Sequence, residues 1–216
     1  MQAVIFDLDG VLVNSMPTHF QAWKGAFAKI AGLEIAERDV YILEGMRGME
    51  LIEKIFEQKK FPNRSLARRL HDEKSKIFNS IRRSEPFEGV REMIDDIGCA
   101  KAVVSGSGRK DVETILEEAF GKDRFDVIIT ADDIEKGKPD PYAFQEALRR
   151  MKVSPKDTVV VENAPLGVRA ANSAGIGCYV ALNNTPLKRS DFEGIISEEK
   201  IFEKTGALRK VLCRRR

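Results

Sequence analysis

Residues 3–14, AVIFDLDGVLVN, constrain the fold more than any other part of the chain. Four apolar residues lead straight into Asp7, and a short apolar run that ends at a turn signal is typical of a strand buried on both faces. Asp9 and Gly10 follow. Side chains two residues apart point the same way in a strand, so the two carboxylates repel each other unless a cation such as Mg²⁺ lies beside them. The stretch predicts either a divalent-cation site at a strand end or a plain Asp-Gly turn.

The chain after Pro86 alternates between apolar strands and amphipathic helices. The predicted strands cover residues 100–104, 125–130, 158–161 and 177–182. The predicted helices cover residues 90–97, 112–120, 142–151 and 165–174. Residues 195–196 are predicted as a last short strand, and residues 201–213 as a final helix. Strands that alternate with helices predict βαβ units and a parallel sheet.

Residues 15–83 interrupt this alternation, because their apolar residues recur only at helical spacing. Phe20, Trp23 and Phe27 form one such stripe. The 216 residues are enough for one large domain with an insertion. We therefore predict an α/β fold, with a Rossmann-like parallel sheet core formed by residues 1–14 and 84–216 and an inserted α-helical cap domain formed by residues 15–83.

Polar residues follow the predicted strands, at the sheet edge where open α/β sheets bind ligands. The residues expected to converge there are Asp7, Asp9, Ser105, Lys138, Glu162 and Asn163. Taken singly, each fits an ordinary turn or surface loop. Together they are typical of phosphoryl transfer, in which a carboxylate can form an acyl-phosphate while a lysine, a hydroxyl and Mg²⁺ hold the phosphate oxygens.

The charge balance and the cysteine spacing limit which classes of protein the chain can belong to. The 36 Lys and Arg residues nearly cancel the 34 Asp and Glu residues, for a net charge of +2, which argues against a nucleic-acid binder. The one compact basic cluster, at residues 214–216, is expected to be a solvated tail. Three widely spaced cysteines without CxxC spacing suit a reducing compartment. Without a long apolar run, the chain is expected to be cytoplasmic, with neither a signal peptide nor a membrane span.

The residues FDLDGVLV, VVSGS, KGKPDP and VVVEN…GVRAA…AG resemble the four motifs of the haloacid dehalogenase-like hydrolases, in the family's order and over essentially the whole chain. The resemblance implies that Asp7 is the nucleophile that becomes phosphorylated and is also a Mg²⁺ ligand. Asp9 would act as general acid and then general base, and its backbone carbonyl would ligate Mg²⁺. Ser105 would hold a phosphoryl oxygen, and Lys138 would offset negative charge. Gly10 would allow the backbone to approach the phosphate.

The fourth motif departs from the family pattern. Acidic pairs usually hold Mg²⁺ there, whereas this chain has Glu162 followed by Asn163. An amide oxygen can ligate a hard cation but brings no charge, so weaker Mg²⁺ binding is expected. Two alternatives stay open: Glu162 swings in and compensates, or the asparagine is an engineered change that silences the enzyme.

The insertion carries the resemblance to a particular branch. The segment HFQAWK at residues 19–24 and the glycine-containing loop at residues 45–50 resemble the β-phosphoglucomutase and sugar-phosphatase branch. The resemblance implies that His19 lies near the acid/base residue. Arg47 and Lys74 are candidate contacts for an anionic substrate, and Ser107 is a further candidate in the loop after Ser105.

Three functions remain as hypotheses. The leading one is a Mg²⁺-dependent phosphatase that hydrolyses a small, sugar phosphate-like metabolite through an aspartyl-phosphate. The second is a β-phosphoglucomutase-type phosphotransferase. The third is a weakly active phosphate-binding or regulatory protein, because Asn163 replaces the usual aspartate. The expected assembly is a monomer or a small homo-oligomer.

Overall fold

The computed structural model describes residues 1–213, so the basic cluster at residues 214–216 lies outside the described part. The centre of the fold is a six-stranded sheet with the order β3-β2-β1-β4-β5-β6, in which all neighbouring strands are parallel. The strands are β1 (Ala3–Phe6), β2 (Ala100–Val104), β3 (Val127–Ile129), β4 (Thr158–Glu162), β5 (Gly177–Ala181) and β6 (Ile201–Phe202). The predicted α/β fold class is confirmed.

The first strand lies at the middle of the sheet and is fully buried, as its unbroken apolar run predicts. Phe6 pairs with Val103 of β2 on one side and with Val161 of β4 on the other. Because this register aligns the three strands, the residues that follow them meet at one edge. The Asp7 N–H extends the ladder by donating to the Val161 carbonyl at 3.0 Å.

Helices cover both faces of the sheet. The core helices are α5 (Val90–Asp96), α6 (Arg109–Phe120), α7 (Tyr142–Met151), α8 (Pro165–Ser173) and α9 (Arg209–Leu212). Successive side chains of a strand point to opposite faces, and β1 shows this directly. Its Val4 and Phe6 pack with the cluster that includes α5 and α6, whereas Ile5 packs with the cluster that includes α7 and α8.

The segment between β1 and β2 contains four further helices, which we call the helical insertion (residues 15–83). They are α1 (Met16–Ala31), α2 (Glu37–Tyr41), α3 (Gly48–Gln58) and α4 (Ala67–Ile81). The apolar stripe of α1 packs inside the insertion, where the rings of Phe27 and Phe56 meet edge to face with centroids 6.0 Å apart. Every helix in the described residues is too short or too polar to cross a bilayer.

The end of the chain corrects two sequence predictions. Residues 195–196 do not form a strand, because they fold back in a turn in which the Ile195 N–H donates to the Phe192 carbonyl at 3.1 Å. Residues 201–213 are not one helix. Ile201 lies in β6 and pairs with Val180 of β5, and the α-helix in this segment is limited to α9. A buried threonine fixes the break: the Thr205 hydroxyl donates to the Val11 carbonyl at 2.9 Å.

Candidate active site

A buried lysine joins the ends of three strands. Lys138 is only 2% exposed, and its Nζ lies 2.5 Å from Asp7 Oδ1 and 2.6 Å from Glu162 Oε1. The ammonium also donates to the Val104 carbonyl at 3.2 Å. All three of its donors are therefore directed at the ends of β1, β2 and β4. The structure thus brings together the predicted nucleophile, the predicted lysine and the first acidic residue of the fourth motif.

Negative charge exceeds positive charge among the buried groups around Lys138. Burial raises the pKa of Asp7 to about 8, with Lys138 opposing the shift and Glu162 and Asp9 adding to it. Burial disfavours the charge on Lys138, but Asp7 and Glu162 outweigh it and hold the pKa of the ammonium above its usual range. One lysine does not neutralise this set of carboxylates, so a bound cation would relieve their repulsion.

Asp9 lies beside this group and accepts hydrogen bonds from four side chains. Its Oδ1 accepts from the Ser15 hydroxyl and from His19 Nε2, the latter at 3.1 Å. Its Oδ2 accepts from the Ser107 hydroxyl at 3.2 Å and, more weakly, from the Ser105 hydroxyl at 3.4 Å. Burial opposes ionisation, but His19 and Ser15 outweigh it and hold the pKa of Asp9 below its ordinary range. The site as it stands favours the carboxylate form of Asp9.

His19 of α1 lies between Asp9 and Lys74 of α4 and contacts both. The Nζ of Lys74 lies 3.1 Å from His19 Nδ1, and an ammonium can only donate. A neutral His19 therefore carries its proton on Nε2, where it donates to Asp9. Burial and the nearby Lys74 charge both lower the pKa of His19, which favours this neutral form. Burial also lowers the pKa of Lys74, to about 8, although Asp9 and Asp111 oppose the shift.

The fourth motif has an arrangement that the sequence did not indicate. Glu162 uses both oxygens, since Oε1 accepts from Lys138 and Oε2 accepts from the Asn163 N–H at 3.1 Å. The amide of Asn163 donates from Nδ2 to Glu44 Oε2 at 2.8 Å. Glu44 comes from the loop between α2 and α3, and burial raises its pKa well above the usual range, with Asp7 adding to the shift. A fourth carboxylate, after those of Asp7, Asp9 and Glu162, thus reaches the edge from the helical insertion.

Gly10 is required by this same asparagine. Gly10 has a φ of +79°, and a Cβ placed on it would lie 2.1 Å from Asn163 Nδ2. The family resemblance predicts that Gly10 lets the backbone approach a phosphate, whereas the contact in the structure is with the Asn163 side chain. Asn183 fixes the same turn, because its Nδ2 donates to the Gly10 carbonyl at 2.7 Å.

Replacing Gly10 by alanine should therefore lower the stability of the fold. The turn requires a positive φ at this position, which is strained for alanine, and the added methyl group displaces Asn163. Together these effects should cost about 1–3 kcal/mol. Urea denaturation in EDTA measures the loss. Gly98→Ala is the matched control, because a Cβ on Gly98 meets no atom within 4 Å and its φ is not in the positive range. Equal midpoints for the two variants would contradict this explanation.

A cavity of about 570 Å³ separates the sheet edge from the helical insertion. The core contributes Asp7, Asp9 and Ser107 to its wall. The helical insertion contributes His19 and the basic residues Arg47, Arg68, His71 and Lys74. The last three occur at helical spacing in α4, a signal that could have indicated Arg68 and His71 from the sequence alone.

Arg47 has a more restricted position than the sequence prediction implies. Its Nη1 donates to the Glu135 carbonyl at 2.6 Å, so the guanidinium is tied to the core at the edge of the cavity. The same loop makes further contacts with the core. The Lys138 N–H donates to the Gly45 carbonyl at 3.0 Å, and the Gly137 N–H donates to Glu50 Oε2 at 3.1 Å. These contacts close the insertion over the site.

The residues present fit a hard cation. Within the described residues, no group of three or more His, Cys, Asp and Glu side chains is placed to hold a metal. The donors at hand are instead mixed, namely the Asp7 carboxylate, the Asn163 amide oxygen and the backbone carbonyl that the family resemblance assigns to Asp9. Asn163 Oδ1 and Glu44 Oε1 are buried and have no hydrogen-bond partner in the described part of the chain. Unsatisfied buried oxygens of this kind are the ligands that Mg²⁺ prefers.

The fold and this geometry define an α/β protein with carboxylates and a lysine at the carboxyl edge of a parallel sheet, beneath a helical insertion. A family model described as haloacid dehalogenase-like hydrolase matches residues 4–181. The chain belongs to that family. The predictions of the family and of a hydrolase-type enzyme are confirmed, whereas the roles of individual residues stay predictions.

Known proteins with similar sequences and structures include both phosphatases and mutases. A phosphorylated carbohydrates phosphatase of Thermotoga maritima is 31% identical over 182 residues, which cover 82% of this chain and 82% of that protein. A beta-phosphoglucomutase of Bacillus subtilis is 28% identical over 202 residues, which cover 88% of each protein. A solved structure from Bacteroides vulgatus, provisionally described as a beta-phosphoglucomutase, has a TM-score of 0.87 at 28% identity and covers 97% of this chain and 86% of that chain.

Proposed function

We propose that the protein is a Mg²⁺-dependent phosphatase that hydrolyses a small, sugar phosphate-like metabolite through an aspartyl-phosphate on Asp7. The observation that carries this proposal is the pairing of Asp7 with the buried Lys138, directly beside an Asp9 held by four donors. A carboxylate kept beside a fixed cation is suited to attack an anionic phosphorus centre. The phosphatase from Thermotoga maritima supports a phosphorylated carbohydrate as substrate.

In the first step, an Asp7 oxygen attacks phosphorus, and the bond to the leaving-group oxygen breaks as the new bond forms. Lys138 offsets the charge that Asp7 and the phosphoryl group bring together, and Ser105 holds a phosphoryl oxygen. A Mg²⁺ ion held at this site would supply further positive charge beside the phosphoryl group and the nucleophile. We assign the metal to Asp7, the Asp9 carbonyl and Asn163. Glu162 positions Lys138, since both of its oxygens are already engaged.

Asp9 transfers the protons. As general acid it donates a proton to the leaving oxygen, and as general base it then accepts one from the water that attacks the phosphorus. Its hydrogen bonds to Ser15 and His19 favour the carboxylate form, which is the form needed for the second step. The proton for the first step must therefore arrive with the substrate or be taken up when the substrate binds. His19 positions the carboxylate throughout.

The helical insertion acts as a cap in this account. Its contacts with the core enclose the cavity, and closure of this kind excludes water until the phosphorylated enzyme is ready to be hydrolysed. We assign Lys74, Arg47 and His19 to the part of the substrate that leaves, and Ser107 to the phosphoryl group. The free Cys99, Cys178 and Cys213 favour the cytoplasmic location proposed from the sequence.

The charge on Lys74 gives the proposal a pH dependence. With a pKa lowered by burial to about 8, the ammonium is charged below that pH and neutral above it. The KM for an anionic substrate should therefore rise as the pH passes from 7 to 9, by about tenfold if the charge contributes about 1.4 kcal/mol to binding. Lys74→Met should have a high KM at all pH values and lose this rise. A rise of equal size in Lys74→Met would assign the titration to another group.

The mutase is the second candidate, because the relative from Bacillus subtilis is a beta-phosphoglucomutase. A screen of phosphorylated metabolites with Mg²⁺ separates the two functions. Release of inorganic phosphate from a sugar monophosphate supports the phosphatase. Interconversion of sugar 1- and 6-phosphates that depends on a bisphosphate supports the mutase. Binding of phosphate without either reaction would support the weakly active regulatory protein that Asn163 suggests.

A further inference from the structure

We propose that Glu44, from the helical insertion, supplies the metal-binding carboxylate that the fourth motif lacks at Asn163, so that the Mg²⁺ site is complete only when the insertion is closed. This inference rests on the proposed function only in requiring that the protein bind Mg²⁺. It assigns to the insertion a role in metal binding in addition to substrate choice.

The position of Glu44 is the first argument. Glu44 is 9% exposed and lies in the wall of the same cavity as Asp7 and Asp9. Its Oε2 is 2.8 Å from the Nδ2 of Asn163, the residue at the position where the family usually has a metal-binding aspartate. The carboxylate therefore lies next to the amide whose missing charge it would replace.

The unsatisfied oxygens are the second argument. Three buried side-chain polar atoms lack a hydrogen-bond partner in the described residues, and two of them are Glu44 Oε1 and Asn163 Oδ1. Leaving such oxygens buried without a partner costs about 1–3 kcal/mol each, and more for a charged group. Both belong to side chains that already contact each other, so one cation beside them would satisfy both oxygens.

The charge balance is the third argument. An aspartate at position 163 would bring one negative charge to the metal, and Asn163 brings none. Glu44, which belongs to the helical insertion, restores that charge next to Asn163. Lys138 does not serve as the counter-ion of Glu44, because its three donors are directed at Asp7, Glu162 and the Val104 carbonyl. A buried carboxylate without an ion-pair partner is costly unless a cation binds beside it.

The loop that carries Glu44 is hydrogen-bonded to the core, so the position of the Glu44 carboxylate depends on whether the helical insertion is closed. Gly45, the next residue, accepts from the Lys138 N–H at 3.0 Å, and Glu50 accepts from the Gly137 N–H at 3.1 Å. These contacts hold Glu44 at the sheet edge. Opening the insertion breaks them and removes Glu44 from the metal, so Mg²⁺ binding stabilises the closed form by as much as closure strengthens Mg²⁺ binding.

The test measures metal binding directly, without turnover. The dissociation constant for Mn²⁺ is measured by electron paramagnetic resonance, and Mg²⁺ by competition. The variants are Glu44→Gln, Asn163→Asp and the double variant. Glu53→Gln is the matched control, since Glu53 is an exposed carboxylate of the same insertion that pairs with Arg64.

Glu44→Gln should weaken Mn²⁺ binding at least about tenfold, the range seen when a group that supports a metal ligand is lost. Asn163→Asp should tighten binding by a similar factor, and the double variant should return to near the wild-type affinity. Glu53→Gln should match the wild type. In hydrogen exchange, Mg²⁺ should protect the amides of residues 44–50 in the wild type and protect them much less in Glu44→Gln.

The alternative is that Glu44 only holds the Asn163 amide in place. A glutamine oxygen would still accept that hydrogen bond, so Glu44→Gln would then bind Mn²⁺ as tightly as the wild type, and that result would overturn the inference. Melting of Glu44→Gln in EDTA checks the fold, and it should be no less stable than the wild type because a buried carboxylate has been removed. If the wild type itself binds no metal, both the inference and the Mg²⁺ dependence fail, whereas unchanged binding in Glu44→Gln alone leaves the proposed phosphatase intact.

Discussion

Asp7→Asn is expected to lower phosphatase turnover by on the order of ten-thousandfold or more while leaving the fold intact. The amide has almost the same shape as the carboxylate but cannot form an acyl-phosphate with the substrate. Asp7 is buried, and its Oδ1 receives the short contact from Lys138, so an asparagine oxygen can still accept there. Hydrolysis of an aryl phosphate in Mg²⁺ measures the effect, with saturating substrate to separate turnover from KM.

The control for Asp7→Asn is Asp123→Asn, the same chemical change at an exposed turn. Asp123 has a φ of 59°, a conformation that asparagine tolerates well. Its turnover should stay within about twofold of the wild type, as is typical for surface substitutions away from a site. If Asp7→Asn retained a tenth or more of the wild-type rate, Asp7 would not be the nucleophile.

Lys138→Met is expected to have the largest effect on stability. Removing the ammonium leaves Asp7 and Glu162 buried and facing each other without their shared counter-ion. Breaking a buried ion pair from one side costs about 3–5 kcal/mol, because the remaining charge is uncompensated. Turnover should also be lost, since no other cationic side chain in the described residues forms an ion pair with Asp7. Urea denaturation in EDTA gives the change in the free energy of unfolding.

Two comparisons make the Lys138 prediction specific. Lys136→Met removes an exposed lysine from the same loop and should change stability by less than about 0.5 kcal/mol. The double variant Lys138→Met/Glu162→Gln should be more stable than Lys138→Met, because it removes one of the two unpaired carboxylates. A loss of under 1 kcal/mol in Lys138→Met would show that Lys138 does not hold the two carboxylates.

The sequence could predict the edge of the sheet because each strand there is a short apolar run that ends in a polar residue. Asp7, Ser105 and Glu162 follow such runs, and parallel pairing then brings them together whatever the details of packing. The core helices α5 to α8 could also be predicted, since periodicity and glycine stops are local signals.

Residues whose position depends on contacts between distant segments could not be predicted in this way. Glu44 lies in a loop without periodicity, and it reaches Asn163 only because Gly45 docks on Lys138. Glu162 belongs to a motif that suggests metal binding, yet its oxygens are occupied by Lys138 and the Asn163 N–H.

The end of the chain shows the same limit. Its apolar residues predict a single helix over residues 201–213, but strand pairing of Ile201 and a buried threonine break the helix. Thr205 bonds to Val11 and to Asn183, residues far away in sequence. Tertiary contacts of this kind override local helical preference.

The central claim is that Asp7 becomes phosphorylated, and trapping that intermediate tests it most directly. The enzyme is mixed with an aryl phosphate and Mg²⁺, quenched in acid within a single turnover, digested and analysed by peptide mass spectrometry. We predict a phosphoryl adduct on the peptide that contains Asp7, absent from Asp7→Asn and lost when the wild type is left to turn over to completion before the quench. Rapid turnover in the wild type with no adduct on Asp7 at any quench time, or an adduct on another residue, would contradict the account.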